Sequence, residues 1–214
     1  FSDISGKLSF AAQLDGKFDS PKLSADIQVE EVKYNKFEVA DAKTKLVFQD
    51  NIIHMSELEL SDNGLYIGAT VTCNELKNNE EVAGKYPFLI KAVSAMGSHQ
   101  IRNRATIVGN ICSSSPGADT PPVLLTLGTK VLIIGPEGER VVPLENFFTG
   151  VKKNVLNENE IVKGLMVNSV SENARGEYKR KTRVEGTDLS ACGVAGFVSK
   201  EDKIVRFGYG ALAP

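Results

Sequence analysis

The first 60 residues of the chain alternate between apolar and polar positions. Leu8, Phe10, Ala12 and Leu14 are separated by polar residues, as are Leu23, Ala25, Ile27 and Val29; Lys43 to Phe48 continue the pattern, and Met55, Leu58 and Leu60 close it. A period of two places successive apolar side chains on one face of a strand, so this segment is expected to be a series of strands. Asp15-Gly16, Asp19-Ser-Pro21, Tyr34-Asn35 and Asp50-Asn51 supply turn chemistry between them. The simplest arrangement is an antiparallel meander with one solvated face, in which His54 is a strand or surface residue.

The period changes after a strong hairpin signal at Asp62-Asn-Gly64, where Asn and Gly tolerate positive φ. Thr72 is placed to cap a short helix holding Glu75 and Leu76. Phe88, Leu89, Ala92, Val93 and Met96 recur at helical spacing up to Gly97, which is placed to stop that helix, and Met96 is expected in the core. Pro121 and Pro122 open another helix through Val123 to Leu127, ending near Gly128. Lys130 to Ile134 and Glu139 to Val142 read as a hairpin, Leu144 to Phe148 as a short amphipathic turn, and Glu160 to Val167 as a strand. Gly176 to Arg183 and Val194 to Val198 read as strands flanking a helix or turn at Asp188 to Cys192, with a last strand near Ile204 to Tyr209. Strands and helices without a βαβ rhythm predict an α+β fold. The expected organisation is a β-rich segment over 1–60, an α+β lobe over 61–170 and the start of a C-terminal sheet lobe over 171–214, with the join between Asp50 and Asn63.

Composition narrows the chemistry. A net charge of −2 with no basic stripe gives nothing to neutralise nucleic-acid phosphates, so a DNA or RNA partner is not expected. The three cysteines, Cys73, Cys112 and Cys192, are scattered, with neither a C-x-x-C pair nor a histidine at zinc spacing. That pattern reads as reduced thiols of a cytoplasmic protein, without iron–sulfur ligation in this chain. No apolar run approaches the roughly 18 residues needed to cross a bilayer. The chain opens at Phe1 without a charged and apolar leader, which is expected of a soluble fragment. Only two histidines occur, His54 and His99, and neither sits in a nucleophile signature. A structural role suits His99, because nothing pairs with it in sequence.

The unusual stretch is Gln100 to Asp119, in which two arginines, asparagines, hydroxyl residues and glycines crowd around the short apolar pair Ile107 and Val108. That makeup suits a binding turn: Gly109 permits close backbone approach, while Thr106, Asn110, Ser113 and Asp119 offer polar groups beside it. On turn chemistry alone, a Gly-Asn turn between apolar residues is more often a plain structural turn. Arg102 and Arg104 are available for phosphate or for neighbouring carboxylates.

Five ordered segments extend the pattern: Ile67-Gly-Ala69, Gly97 to Asn110, Ser115-Pro-Gly-Ala-Asp-Thr-Pro-Pro122, Leu144-Glu-Asn-Phe-Phe-Thr-Gly150, and Tyr178-Lys-Arg-Lys-Thr-Arg183 followed by Asp188-Leu189. In these the chain resembles the FAD-binding flavoprotein subunit of the molybdenum hydroxylases, the group containing xanthine dehydrogenase and carbon monoxide dehydrogenase. The resemblance implies an oxidoreductase component that binds FAD. Thr106, Ile107, Val108, Gly109 and Asn110 would wrap the dinucleotide, Ser113 and Asp119 would supply further polar contacts, Leu156 would lie beside the flavin ring, and Lys179 would place a cation near it. On its residues alone, Asp119 equally suits a cap on the helix opening at Thr120 to Pro122; Leu156 suits ordinary core and Lys179 a solvated surface. The resemblance also implies partner subunits that carry molybdopterin and [2Fe–2S] clusters, with electrons passed through FAD to NAD+ or another acceptor, and at most a partial reaction by this chain alone.

The family's Ala-Gly-Gly-Thr-like pyrophosphate turn does not occur before Gly64. Gly16 to Leu23 and the strands from Tyr34 to Leu60 instead resemble the repeating β-strands of AsmA and TamB-type envelope proteins. Two further readings follow, a β-rich envelope or lipid-transfer fragment and a composite chain with an incomplete, non-functional FAD site.

Overall fold

Four strands, β1 (Ile4–Lys17), β2 (Ser20–Tyr34), β3 (Phe37–Gln49) and β4 (Ile52–Met55), pair in sequence order as an antiparallel sheet. The register sets apolar positions opposite one another: Leu8 with Val29, Phe10 with Ile27, Ala12 with Ala25, and Leu14 with Leu23. A slip of one residue would set each of them against a polar position, so the alternation specifies the register. The computed structural model describes residues 4–17, 20–34, 37–49, 52–55 and 57–212, with side chains over 57–212. The chain divides into two units, Phe1–Glu57 and Leu58–Pro214.

The meander is as expected, with corrections where turns were expected. Asp15 and Gly16 are not a turn but lie within β1, opposite Lys22 and Pro21. Extending the ladder to Lys17 and Ser20 pairs backbone groups that a turn at Asp15 would leave to solvent. Ser20, Pro21 and Tyr34, expected in the following turns, likewise lie within β2, while Asp19, Asn35 and Asp50-Asn51 fall outside the described residues. Met55 and Leu58, read as one alternating run, belong to different sheets, because β5 (Leu58–Ser61) pairs with β6 (Gly64–Gly68) instead.

The second unit is built on a five-stranded antiparallel sheet. Its remaining strands are β7 (Lys130–Gly135), β8 (Gly138–Pro143) and β11 (Ile161–Asn168), and the order is β5-β6-β11-β7-β8. The Asp62-Asn63 hairpin closes as expected. Gly64 has φ +136, and a Cβ there would lie 2.1 Å from the Val167 carbonyl oxygen, so only glycine fits where β6 starts against β11. A short ribbon, β9 (Phe148–Gly150) with β10 (Lys153–Asn154), follows a 3₁₀ turn at Leu144–Asn146.

Among the described residues of this unit, six short helices connect and cover its sheets: α1 (Cys73–Asn78), α2 (Glu80–Lys85), α3 (Pro87–Ala95), α4 (His99–Arg102), α5 (Ile107–Cys112) and α6 (Thr120–Thr126). Thr72 caps α1 through a reciprocal pair: Thr72 Oγ1 accepts from the Glu75 N–H at 3.2 Å, and Glu75 Oε2 accepts from the Thr72 N–H at 2.7 Å. Gly97 ends the α3 segment with φ +45, and Met96 is buried as expected.

A three-stranded antiparallel sheet of β12 (Arg175–Thr182), β13 (Ser190–Ser199) and β14 (Ile204–Gly210) completes the unit. Helix α6 packs on β13 and β14, and α3 packs on β12. Glycines allow this contact: the Phe88 ring of α3 lies over Gly176, and a Cβ on Gly208 would lie 2.1 Å from the Pro122 carbonyl of α6. Phe88 also stacks on Phe197 of β13, with centroids 5.9 Å apart. The helix or turn expected at Asp188 to Cys192 is corrected, because Ser190 to Cys192 already belong to β13. The reversal lies before them, where the Asp188 carboxylate accepts from the backbone N–H groups of Arg183 and Leu189.

Candidate functional site

The segment read as a binding turn is a capped helix. Ile107, Val108 and Ile111 share the buried side of α5, and Thr106 caps it, its Oγ1 accepting from the Gly109 N–H at 2.9 Å. Helical burial and the hydroxyl cap prevail over the turn preference of Gly109-Asn110. Because Ile107 and Val108 point into the core, any contact they make with a ligand falls to their backbone. The Ile107 N–H is spent on the Val71 carbonyl, while the Val108 N–H has no partner among the described residues.

The polar side chains of this segment are held in defined orientations. Asn110 Oδ1 accepts from the buried Thr120 hydroxyl at 2.6 Å, which leaves the amide NH2 of Asn110 as its free edge. The exposed Ser113 hydroxyl donates to the Asn110 carbonyl at 2.7 Å, so toward a ligand it offers lone pairs rather than its proton. The Thr106 hydroxyl retains its proton, since Oγ1 is the acceptor in the cap.

Leu156 is brought to the other end of α5. Asn154 donates from Nδ2 to the Cys112 carbonyl at 3.0 Å, and its Oδ1 accepts from the Leu156 N–H at 3.1 Å. The Lys152 N–H adds a bond to the Ser114 carbonyl at 2.9 Å. Leu156 is half-buried against the core.

Asp119 does not cap α6 with its side chain. Its carboxylate is buried and accepts from Ser190 Oγ at 2.6 Å, Tyr178 Oη at 2.7 Å and Arg180 Nη1 at 3.0 Å. Three donors from β12 and β13 engage both its oxygens, and the same carboxylate adds to burial in raising the Tyr178 ionisation above its ordinary 10. Lys179 is exposed and alternates with Tyr178 and Arg180 along β12, so it projects from the opposite face of the sheet. The side chains of Asp119 and Lys179 are therefore not brought together.

Arg102 pairs with no carboxylate among the described residues. Its guanidinium is buried and donates from Nη1 to the carbonyls of Met96, Gly97 and Ser94 at 2.6, 3.0 and 3.2 Å, and from Nε to Asn74 Oδ1 at 3.3 Å. It closes the C-terminal end of α3, where a cation is favoured. Arg104 is exposed. His99 takes part in the same polar cluster through Asn74, in keeping with a structural role. The three cysteines are unpaired, and burial pushes the Cys73 thiol up to about 11, so it is an inert core residue.

Together, the Val108 N–H, the Thr106 hydroxyl and the Asn110 amide form a set of neutral donors around an exposed glycine. That set fits a ligand rich in acceptor oxygens, such as the phosphates and hydroxyls of a dinucleotide. Thr120, Asn154, Arg180 and Ser190 were not visible as members of the site. No spacing rule links a hydroxyl to an amide ten residues earlier, or a serine on β13 to Asp119.

Residues 30–167 match the family described as the FAD binding domain in molybdopterin dehydrogenase. Lys179 lies beyond the matched residues. The carbon monoxide dehydrogenase medium chain of Hydrogenophaga pseudoflava is 31% identical over 139 residues, covering 65% of this chain and 48% of that protein. The glyceraldehyde dehydrogenase medium chain of Sulfolobus acidocaldarius is 28% identical over 178 residues, covering 79% and 63%. Among solved structures, the Hydrogenophaga pseudoflava carbon monoxide dehydrogenase that lacks the Mo-pyranopterin moiety of its molybdenum cofactor superposes with a TM-score of 0.69 at 28% identity, over 74% of this chain and 56% of that one. Quinoline 2-oxidoreductase from Pseudomonas putida 86 gives 0.65 at 26% identity, over 72% and 54%. The chain thus spans about half the length of the relatives it matches.

Proposed function

Because the chain belongs to the family of FAD-binding domains in molybdopterin dehydrogenases, we propose that it is the flavin-holding, electron-transfer component of a molybdenum hydroxylase. The observation that carries this reading is the donor set of α5, which lies within the matched residues and presents the Val108 N–H, the Thr106 hydroxyl and the Asn110 NH2 beside exposed Gly109. FAD would supply the redox chemistry, taking up electrons singly and releasing them in pairs. Gly109 admits the dinucleotide close to the backbone, and the three donors orient its oxygens. Leu156 contributes an apolar wall that excludes water, and Lys179 a positive charge that favours the reduced, anionic ring. Asp119, whose oxygens are occupied, acts through the side chains it holds.

The partners of this reading are an iron–sulfur polypeptide that delivers electrons and a molybdopterin polypeptide that hydroxylates the substrate, with NAD+ or another compound as the final acceptor. Among the described residues no helix is long and apolar enough to cross a membrane, and no group of three or more His, Cys, Asp or Glu side chains is arranged to hold a metal ion.

The test is an FAD titration of the purified chain, followed by the visible flavin bands and by quenching of flavin fluorescence. Saturable binding of one FAD per chain is expected, weakened about tenfold by Asn110→Ala, which removes one hydrogen bond worth roughly 1.4 kcal/mol. A protein that stays colourless and leaves flavin fluorescence unchanged at high FAD concentration would overturn the proposal.

A further inference from the structure

We propose that Thr120 is a positioning residue of the flavin site, one that sets Asn110 for binding without touching the ligand. This rests on the FAD-binding role proposed above. Thr120 is the first residue of α6 and is fully buried, while Asn110 lies on half-exposed α5. The one hydroxyl hydrogen of Thr120 goes to Asn110 Oδ1 at 2.6 Å. A primary amide has an acceptor end and a donor end of nearly equal shape, and a ligand meets whichever end is turned outward. A flipped amide would donate to the Thr120 hydroxyl and leave its buried hydrogen with no acceptor among the described residues, so Asn110 presents NH2 and selects an acceptor oxygen. Thr120 is held in turn by its place in the chain. Its neighbour Asp119 is anchored to β12 and β13 by Tyr178, Arg180 and Ser190, and α6 packs on β13 and β14. The Asn110 amide is therefore referenced to the three-stranded sheet rather than to its own short helix, and it loses little freedom when a ligand binds.

The experiment is a double-mutant cycle on FAD affinity in the full chain, read by flavin fluorescence quenching. Thr120→Val keeps the shape of the side chain and removes its hydroxyl; it is expected to weaken FAD about five- to tenfold, and Thr120→Ser to restore most of the loss. In an Asn110→Ala background, Thr120→Val is expected to have no further effect, because the residue it positions is gone. A merely structural Thr120 would give the same loss in both backgrounds, and that result would overturn the proposal, as would a Thr120→Val protein with unchanged affinity. A parent chain that binds no FAD would overturn the flavin reading itself, and this inference with it, so the two failures are distinguishable. Thr120→Ser, with the parent hydroxyl and a comparable melting temperature, guards against a variant that loses affinity only by failing to fold.

Discussion

Replacing Asp119 by alanine tests the central link of the second unit. The Asp119 carboxylate is 5% exposed, and two of its three donors, the hydroxyls of Tyr178 and Ser190, belong to residues 2% and 6% exposed. Asp119→Ala leaves both hydroxyls without an acceptor where water cannot readily replace it, at about 1–3 kcal/mol each. Arg180 is half-buried and regains hydration, so it adds less. The sum is about 3–5 kcal/mol, the range found when one partner of a buried charged pair is removed. Asp119→Asn keeps one acceptor oxygen but loses the charge, and is expected to cost about 1–3 kcal/mol. Since a domain is held by only about 5–15 kcal/mol in total, the alanine variant should be visibly compromised. Urea unfolding followed by near-ultraviolet tyrosine dichroism, together with amide exchange across β12 and β13, measures the loss where it arises. Tyr178→Phe combined with Asp119→Ala should cost less than the sum of the two, because both delete the same bond. An Asp119→Ala cost below about 1 kcal/mol would refute the hub, since even one buried orphan hydroxyl exceeds it.

Gly208→Ala should destabilise by about 1–3 kcal/mol, because its Cβ would sit 2.1 Å from the Pro122 carbonyl, whereas Gly84→Ala, with open space around it in α2, should stabilise by about 0.5–1 kcal/mol; thermal melts of the pair check the contrast. Arg102→Lys should cost about 2–4 kcal/mol in urea unfolding, as a point charge cannot reproduce the fork that reaches three carbonyls and Asn74. Glu160 is held down from its ordinary 4.5 to about 2, first by its hydrogen bonds from Arg140 and then by the Asn157 N–H. Its contribution is therefore complete above about pH 4.5 and is lost as the pH falls toward about 2. In Glu160→Gln the acid-induced loss of stability between those values should shrink, and an unchanged acid titration of unfolding would argue against the pairing.

Much of this protein was decided locally. Alternation with a period of two determined the strands of the meander and their register, because slipping by one residue would set apolar positions against polar ones. The Thr72 and Glu75 spacing determined the start of α1, and Asp62-Asn-Gly64 the first hairpin of the second unit, since both depend on atoms within a few residues of each other. The ordered segments from Ile67 to Leu189 were enough to point to the family. Tertiary structure decided what those segments do. Asp119, read as a ligand contact or a helix cap, became a buried acceptor because β12 and β13 bring three donors to it from about 60 to 70 residues away. Arg102, whose charge suggested a phosphate or carboxylate, is consumed by carbonyls at the end of α3, a site that exists only once α3 and α4 have folded against each other. The Gly109-Asn110 turn became the first turns of a helix because Ile107, Val108 and Ile111 found a core to enter. Short-range chemistry fixes where the backbone bends and which face is apolar. The partner of a buried polar group depends on which strands meet, and only the packed chain determines that.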